Sequence, residues 1–101
     1  MKLVIVTAVE EFEKSIFQLF KKSGIHSFSH SDIDGYKNGD GTVLAANWFG
    51  SQKGSAESLL FFSFTEEGNI DLLFKLIAEF NTQLETNNPV KAVVVPIEKY
   101  I

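Results

Sequence analysis

Two spacings of apolar residues alternate along this chain, one suited to strands and the other to helices. Leu3 to Ala8, LVIVTA, is a continuous apolar run rich in β-branched residues, which predicts a central strand covered on both faces. From Glu10 to Ser23 the period changes: Phe12, Ile16, Leu19 and Phe20 stand at i, i+4, i+7 and i+8, the stripe of an amphipathic helix. Glu10, Glu11 and Glu13 crowd its first turn and Lys21 and Lys22 its last, matching the helix dipole, and Gly24 follows as a C-terminal cap. Ile25 to Asp34 alternates again and predicts a second strand. Ser58 to Thr65, SLLFFSFT, is the strongest strand signal, with Leu60, Phe62 and Phe64 on one side and Leu59 and Phe61 on the other. A turn over Thr65 to Asn69, capped by Asn69, leads into a second helix from Ile70 to about Glu85, with Leu73, Leu76, Ile77, Phe80 and Leu84 along one face. Thr86 to Pro89, TNNP, stops it. Val90 to Pro96 is the last strand, placed at a sheet edge because Pro96 has no N–H for a ladder, and Ile97 to Ile101 is expected to form one helical turn.

Between the second and third strands lies the segment that departs from this pattern. Asp34 to Glu57 holds five of the seven glycines and the only tryptophan, Trp48. Structureless connections longer than about a dozen residues are uncommon in compact domains and are usually functional or disordered. Trp48, with Phe49 beside it, is the natural anchor for a partner, and Lys37 and Lys53 are the cations available to a bound anion. The plainer alternative is a disordered loop whose Trp48 tucks back onto the sheet. Thr42 to Phe49 has enough apolar character for an extra strand or arm. Gly50 to Gly54, GSQKG, lacks the spacing with which a phosphate-binding loop encloses its ligand.

The second strand carries the other candidate chemistry. Its even positions are His26, Phe28, His30, Asp32 and Asp34, so an unbroken strand puts both histidines and both aspartates on one face. Alternate positions on a strand are about 7 Å apart, so one ion takes at most two of these ligands and needs others from elsewhere. A solvated polar edge strand explains the same pattern, since polar edges suppress unwanted pairing.

Composition narrows the function. At 101 residues the chain forms one domain, residues 1–101, with no room for a second core. Its 45% hydrophobic content, with ten phenylalanines, is high for that size and calls for burial between subunits. The absence of cysteine excludes disulfides, thiolate metal sites and cysteine nucleophiles, and suits a reducing interior. Met1 leads straight into strand-like sequence without a signal-peptide pattern, and no run approaches membrane-spanning length, so a cytoplasmic protein that is not membrane-embedded is expected. A formal charge of -4 with scattered basic residues argues against nucleic acid.

Strand, helix, strand, long loop, strand, helix, strand is the ferredoxin-like βαββαβ order: an α+β fold with a four-stranded antiparallel sheet and two helices on one face. The opposite face then carries apolar residues from the first and third strands, which predicts an oligomer built sheet against sheet. The opening M-K-L-V-I-V before a helix, Gly24-Ile25, the strand closing on Asp34-Gly35-Tyr36-Lys37, and the ending VKAVVVPIEKYI together resemble the PII (nitrogen-regulatory) signal-transduction family. The resemblance spans nearly the whole chain in element order and spacing. It implies a homotrimer whose long loop contacts a target protein, an enzyme or transporter, and whose subunit clefts bind an effector, adenine nucleotides in the best-known members. It also implies that Gly35 and Lys37 border that cleft and that Lys91 stands where the family has a phosphate-contacting lysine. Here Glu85 to Pro89, ETNNP, replaces the family's glycine-rich turn, the arginines that follow the last strand are missing, and the loop has Trp48 but no tyrosine beyond Tyr36. The chain therefore reads as a divergent PII-like protein with an effector of its own.

Two other functions fit the same residues. One is a small enzyme on the dimeric α+β barrel plan with His26 or His30 as acid or base, although no nucleophile stands beside a base at a recognisable spacing. The other is a metal-responsive trimer using His26, His30 and Asp32.

Overall fold

A computed structural model describes residues 1–36, 55–84 and 88–101. In chain order these form β1 (Lys2–Val9), a 3-10 turn (Glu10–Phe12), α1 (Glu13–Lys22), β2 (Ser29–Tyr36), β3 (Ser55–Thr65), α2 (Glu67–Thr82) and β4 (Lys91–Pro96). The strands make one antiparallel sheet in the order β2-β3-β1-β4, the ferredoxin-like arrangement. β4 is an edge, as Pro96 requires, and β1 is central. Residues 37–54 are the long connection between β2 and β3.

The register divides the residues between the two faces. Val4 pairs with Ser63 and Val94, Val6 with Phe61 and Ala92, and Ala8 with Leu59. On this side Val4, Val6, Leu59 and Phe61 are buried with Ile16, Leu19 and Phe20 of α1 and Ile70, Leu73 and Ile77 of α2. Phe20, Phe28 and Phe61 pack as an aromatic group, with Phe20 stacked on Phe28 at 4.5 Å. Fully burying one such ring contributes about 1.5–3 kcal/mol, which is why the helices sit here. On the opposite face, Leu3 stands between Phe64 and Val95, and Ile5 between Phe62 and Val93. No element among the described residues covers these side chains; Phe64 is 58% exposed and Val95 40%. Among the described residues β1 is central, as the β-branched run predicts, but it has helices on one side only rather than the expected cover on both.

The turns explain where the elements begin and end. α1 closes with the predicted glycine cap: Gly24 has φ +85°, its N–H donates to the Lys21 carbonyl at 3.1 Å, and the Ile25 N–H donates to the Phe20 carbonyl at 3.0 Å. That motif turns Ile25 inward, where it is buried, so β2 starts at Ser29 rather than at Ile25. Glu10 to Phe12 is a 3-10 turn instead of the first turn of α1. α2 begins at Glu67, which places Asn69 inside its first turn rather than at the cap, and it ends at Thr82, before the expected Glu85. Asn81, half-buried near that end, holds the residue ahead of β4: its Nδ2 donates to the Val90 carbonyl at 2.9 Å and its Oδ1 accepts the Val90 N–H at 2.8 Å. Residues 97–101 do not form the expected helical turn.

Candidate functional site

Three places in this fold carry chemistry, and the sheet keeps them apart. The first is the base of the 37–54 connection. β1 ends at Val9, level with Ser58 and Ile33, while β2 and β3 continue for three more pairs: Asp34 with Glu57, Gly35 with Ala56, and Tyr36 with Ser55. A two-stranded ribbon thus runs past the end of β1 and holds the ends of the long connection side by side. Gly35 is buried in this ribbon and Tyr36 is exposed. Lys37, Trp48, Phe49 and Lys53 lie outside the described residues, as does the arm expected over 42–49.

The second place is Lys91, at the start of β4 and paired with Thr7. It is half-buried and is the sole charged side chain that the register of the four strands puts on the uncovered face. Thr7 beside it is 4% exposed, and its hydroxyl has no hydrogen-bond partner among the described residues. Lys91 and Gly35 are on opposite edge strands, three strand spacings apart, or about 14 Å across the sheet, and are offset along it as well. Within one chain the sheet does not bring them together.

The third place is the helix-covered side of β2. His30, Asp32 and Asp34 share this face, opposite Phe61, Leu59 and Glu57 respectively. The His30 ring stacks on Phe61 at 5.3 Å and meets Phe17 edge-on at 5.2 Å, and its Nε2 is 3.6 Å from a Glu13 carboxylate oxygen. This is a packing role at the margin of the aromatic core, with one carboxylate at hand. His26 does not join it. Because β2 starts three residues later, His26 lies ahead of the strand, beside Phe62 and Phe64 of the uncovered face. The two histidines thus have separate surroundings, and the described residues contain no group of three His, Asp or Glu side chains placed to hold a metal ion.

Sequence reasoning missed the acidic group next to His30. Glu10, placed by the 3-10 turn, faces Glu57. A hydrogen bond to Glu57, which only protonated Glu10 can donate, raises the Glu10 pKa above its ordinary 4.5; repulsion from the Glu57 charge adds to this, followed by burial and by Asp32 and Glu13. Glu10 and Glu57 are far apart in sequence, and only the β1–β3 register brings them together.

No family model and no curated protein matches this chain. Among solved structures it is similar to the crystal structure of a DUF3240 family protein from Shewanella baltica OS155, with a TM-score of 0.67 and 17% sequence identity, over 98% of this chain and 91% of that chain. The likeness is one of fold. It extends over nearly the full length of both chains. At this identity it assigns no role to any side chain. Among the described residues, no helix is long and apolar enough to cross a membrane.

Proposed function

We propose that this protein is a non-catalytic, PII-like regulatory module of the cytoplasm. Copies assemble through the uncovered sheet face, most simply as a trimer. A small-molecule effector, with an adenine nucleotide as the first candidate, binds in the clefts between them near Gly35, Lys37, Lys53 and Lys91. Residues 37–57, with Trp48 and Phe49, carry the signal to a target enzyme or transporter. The observation that carries this reading is the uncovered face itself: Leu3, Ile5, Leu60, Phe62, Phe64, Val93 and Val95 form an apolar sheet surface with one lysine at its corner, and such surfaces are usually interfaces. Two features support the rest. The ribbon of β2 and β3 carries the chain past the end of β1 on both sides of residues 37–54, and half-buried Lys91 at the corner of the face offers a cation for an anionic group. An effector controls such a loop only if it binds two states of the protein with different affinity.

The test is the fluorescence of Trp48, the sole tryptophan, during titration with ATP, ADP, cyclic AMP, bicarbonate and divalent metals, with the oligomeric mass measured in parallel. A saturable response in a trimer is the expected result. A monomer without any response overturns the reading, and a dimer favours the barrel-type enzyme.

A further inference from the structure

Where β2 begins, the sheet has a notch. The first β2–β3 pair joins Ser29 to Phe62, yet β3 continues through Ser63, Phe64 and Thr65, paired there with β1 alone. On the free side the chain at 25–28 leaves the sheet, tied back by the Ser63 hydroxyl, which donates to the Ser27 carbonyl at 2.6 Å. The space left between them is a cavity of about 400 Å³ walled by His26, Phe28, Ser29, Phe62, Ser63 and Phe64. Its chemistry is mixed. Phe62 and Phe64 meet edge to face, 6.2 Å apart at 82°, so the wall offers both a ring face and a ring edge. His26 and Ser29 add polar groups at an exposed rim, whereas the Ser63 hydroxyl is already committed to Ser27.

We propose that this notch is a binding site for a planar aromatic small molecule with a hydrogen-bonding edge, its ring packed on Phe62 and Phe64 and its polar edge turned to His26 and Ser29. The volume lies in the range of small-molecule pockets, about 300–1,000 Å³, and the wall sets three phenylalanines beside His26 and serines, so it offers ring surface and hydrogen-bonding groups together. Aromatic rings favour offset or edge-to-face partners, which the Phe62–Phe64 pair provides for a third ring. A peptide strand fits less well: the β3 edge left open is only the stretch from Ser63 to Thr65, and residues 25–28 already stand beside it. A flat sheet from a second copy would bridge the mouth of the notch rather than fill it. The site is separate from the loop base, because Gly35 lies six residues further along β2 from Ser29, about 20 Å by the strand rise.

Indole is the probe, with cyclohexanol as the non-aromatic control, followed by NMR on the intact protein. The expected result is a saturable shift of the His26, Ser29, Phe62 and Phe64 resonances by indole, with a dissociation constant at or below about 1 mM and at least about tenfold preference over cyclohexanol. Phe64→Leu, which keeps apolar bulk and removes the ring, should erase that preference. His26→Ala should weaken indole severalfold while leaving the spectrum of the core unchanged. Three outcomes overturn the proposal: no saturable shift, equal indole binding by Phe64→Leu, or an indole response seen only when the protein is diluted to monomers, which would assign the notch to an interface between copies. The Trp48 titration and the oligomeric mass are read separately, so a failure here leaves the regulatory reading to its own test.

Discussion

The two faces of this sheet are built from the same strands and similar residues, yet they have different fates. Phe61 and Phe62 are neighbours in sequence. Phe61 points under the helices and is fully buried in a group of aromatic rings, while Phe62 points the other way and lines a notch beside exposed Phe64. Hydrophobicity alone does not say which of two adjacent phenylalanines belongs to the core. The helices decide, since α1 and α2 both pack on the side that holds Val4, Val6, Leu59 and Phe61. The opposite side keeps its apolar character without a partner among the described residues, and that is the physical basis for reading it as a surface for binding or assembly.

Substitutions on either side can break this comparison. The largest effect is expected from Phe61→Ala on the covered face, which should lower unfolding stability by about 3–5 kcal/mol in a denaturant titration, because the surrounding rings cannot collapse into the space. A loss under about 1 kcal/mol would mean that the covered face is not the core. Next is Asn81→Ala, which strips both hydrogen bonds from the Val90 backbone and should cost about 1–3 kcal/mol. Replacement by Asp, which retains an acceptor for the Val90 N–H but loses the amide donor, should recover part of that loss.

Phe64→Ser on the uncovered face should change the stability of a single chain by only about 0.5 kcal/mol or less, as exposed substitutions generally do. Its effect should appear in assembly. If the face joins copies, the wild-type melting temperature rises with protein concentration, and the variant loses both that dependence and the oligomeric mass. A wild-type protein that melts independently of concentration would make the two faces differ in packing but not in function.

The smallest effect concerns the acidic group at the margin of the covered face. The folded-state pKa of Glu10 is raised, so between its ordinary 4.5 and the raised value the folded protein binds more protons than the unfolded chain. Stability therefore falls as pH rises through that window and recovers as pH falls back toward 4.5. Glu57→Gln should flatten this dependence and slightly raise the melting temperature at pH 7, with a smaller gain in high salt. Unchanged pH dependence in the variant would show that Glu57 is not the group acting on Glu10.

Much of the fold was legible because its signals are local. The i, i+4, i+7 stripe and the dipole-matched ends located α1, Gly24 marked its cap, and Pro96 assigned β4 to an edge. The errors arose where a local pattern competed with a turn. Alternation continues through Ile25 to Asp34 and predicts a strand that includes His26; the glycine cap commits Ile25 to the core, and pairing begins only at Ser29. The residue type of Asn69 suits a helix cap, yet α2 starts at Glu67 with no side-chain cap.

The candidate sites divide in the same way. By itself the sequence determined the element order, the apolar character of both sides of β3, the single lysine at the start of β4 and the glycine-rich segment with its tryptophan, because each of these is a property of neighbouring residues. Only the tertiary structure decided that Gly35 and Lys91 stand on opposite edges, that His30 packs against Phe61 while His26 borders a cavity, that Glu10 meets Glu57, and that Asn81 fastens α2 to β4. The sheet contacts among these depend on strand register, which pairs residues tens of positions apart. A one-residue shift would send each side chain to the other face, so no local pattern could foretell them.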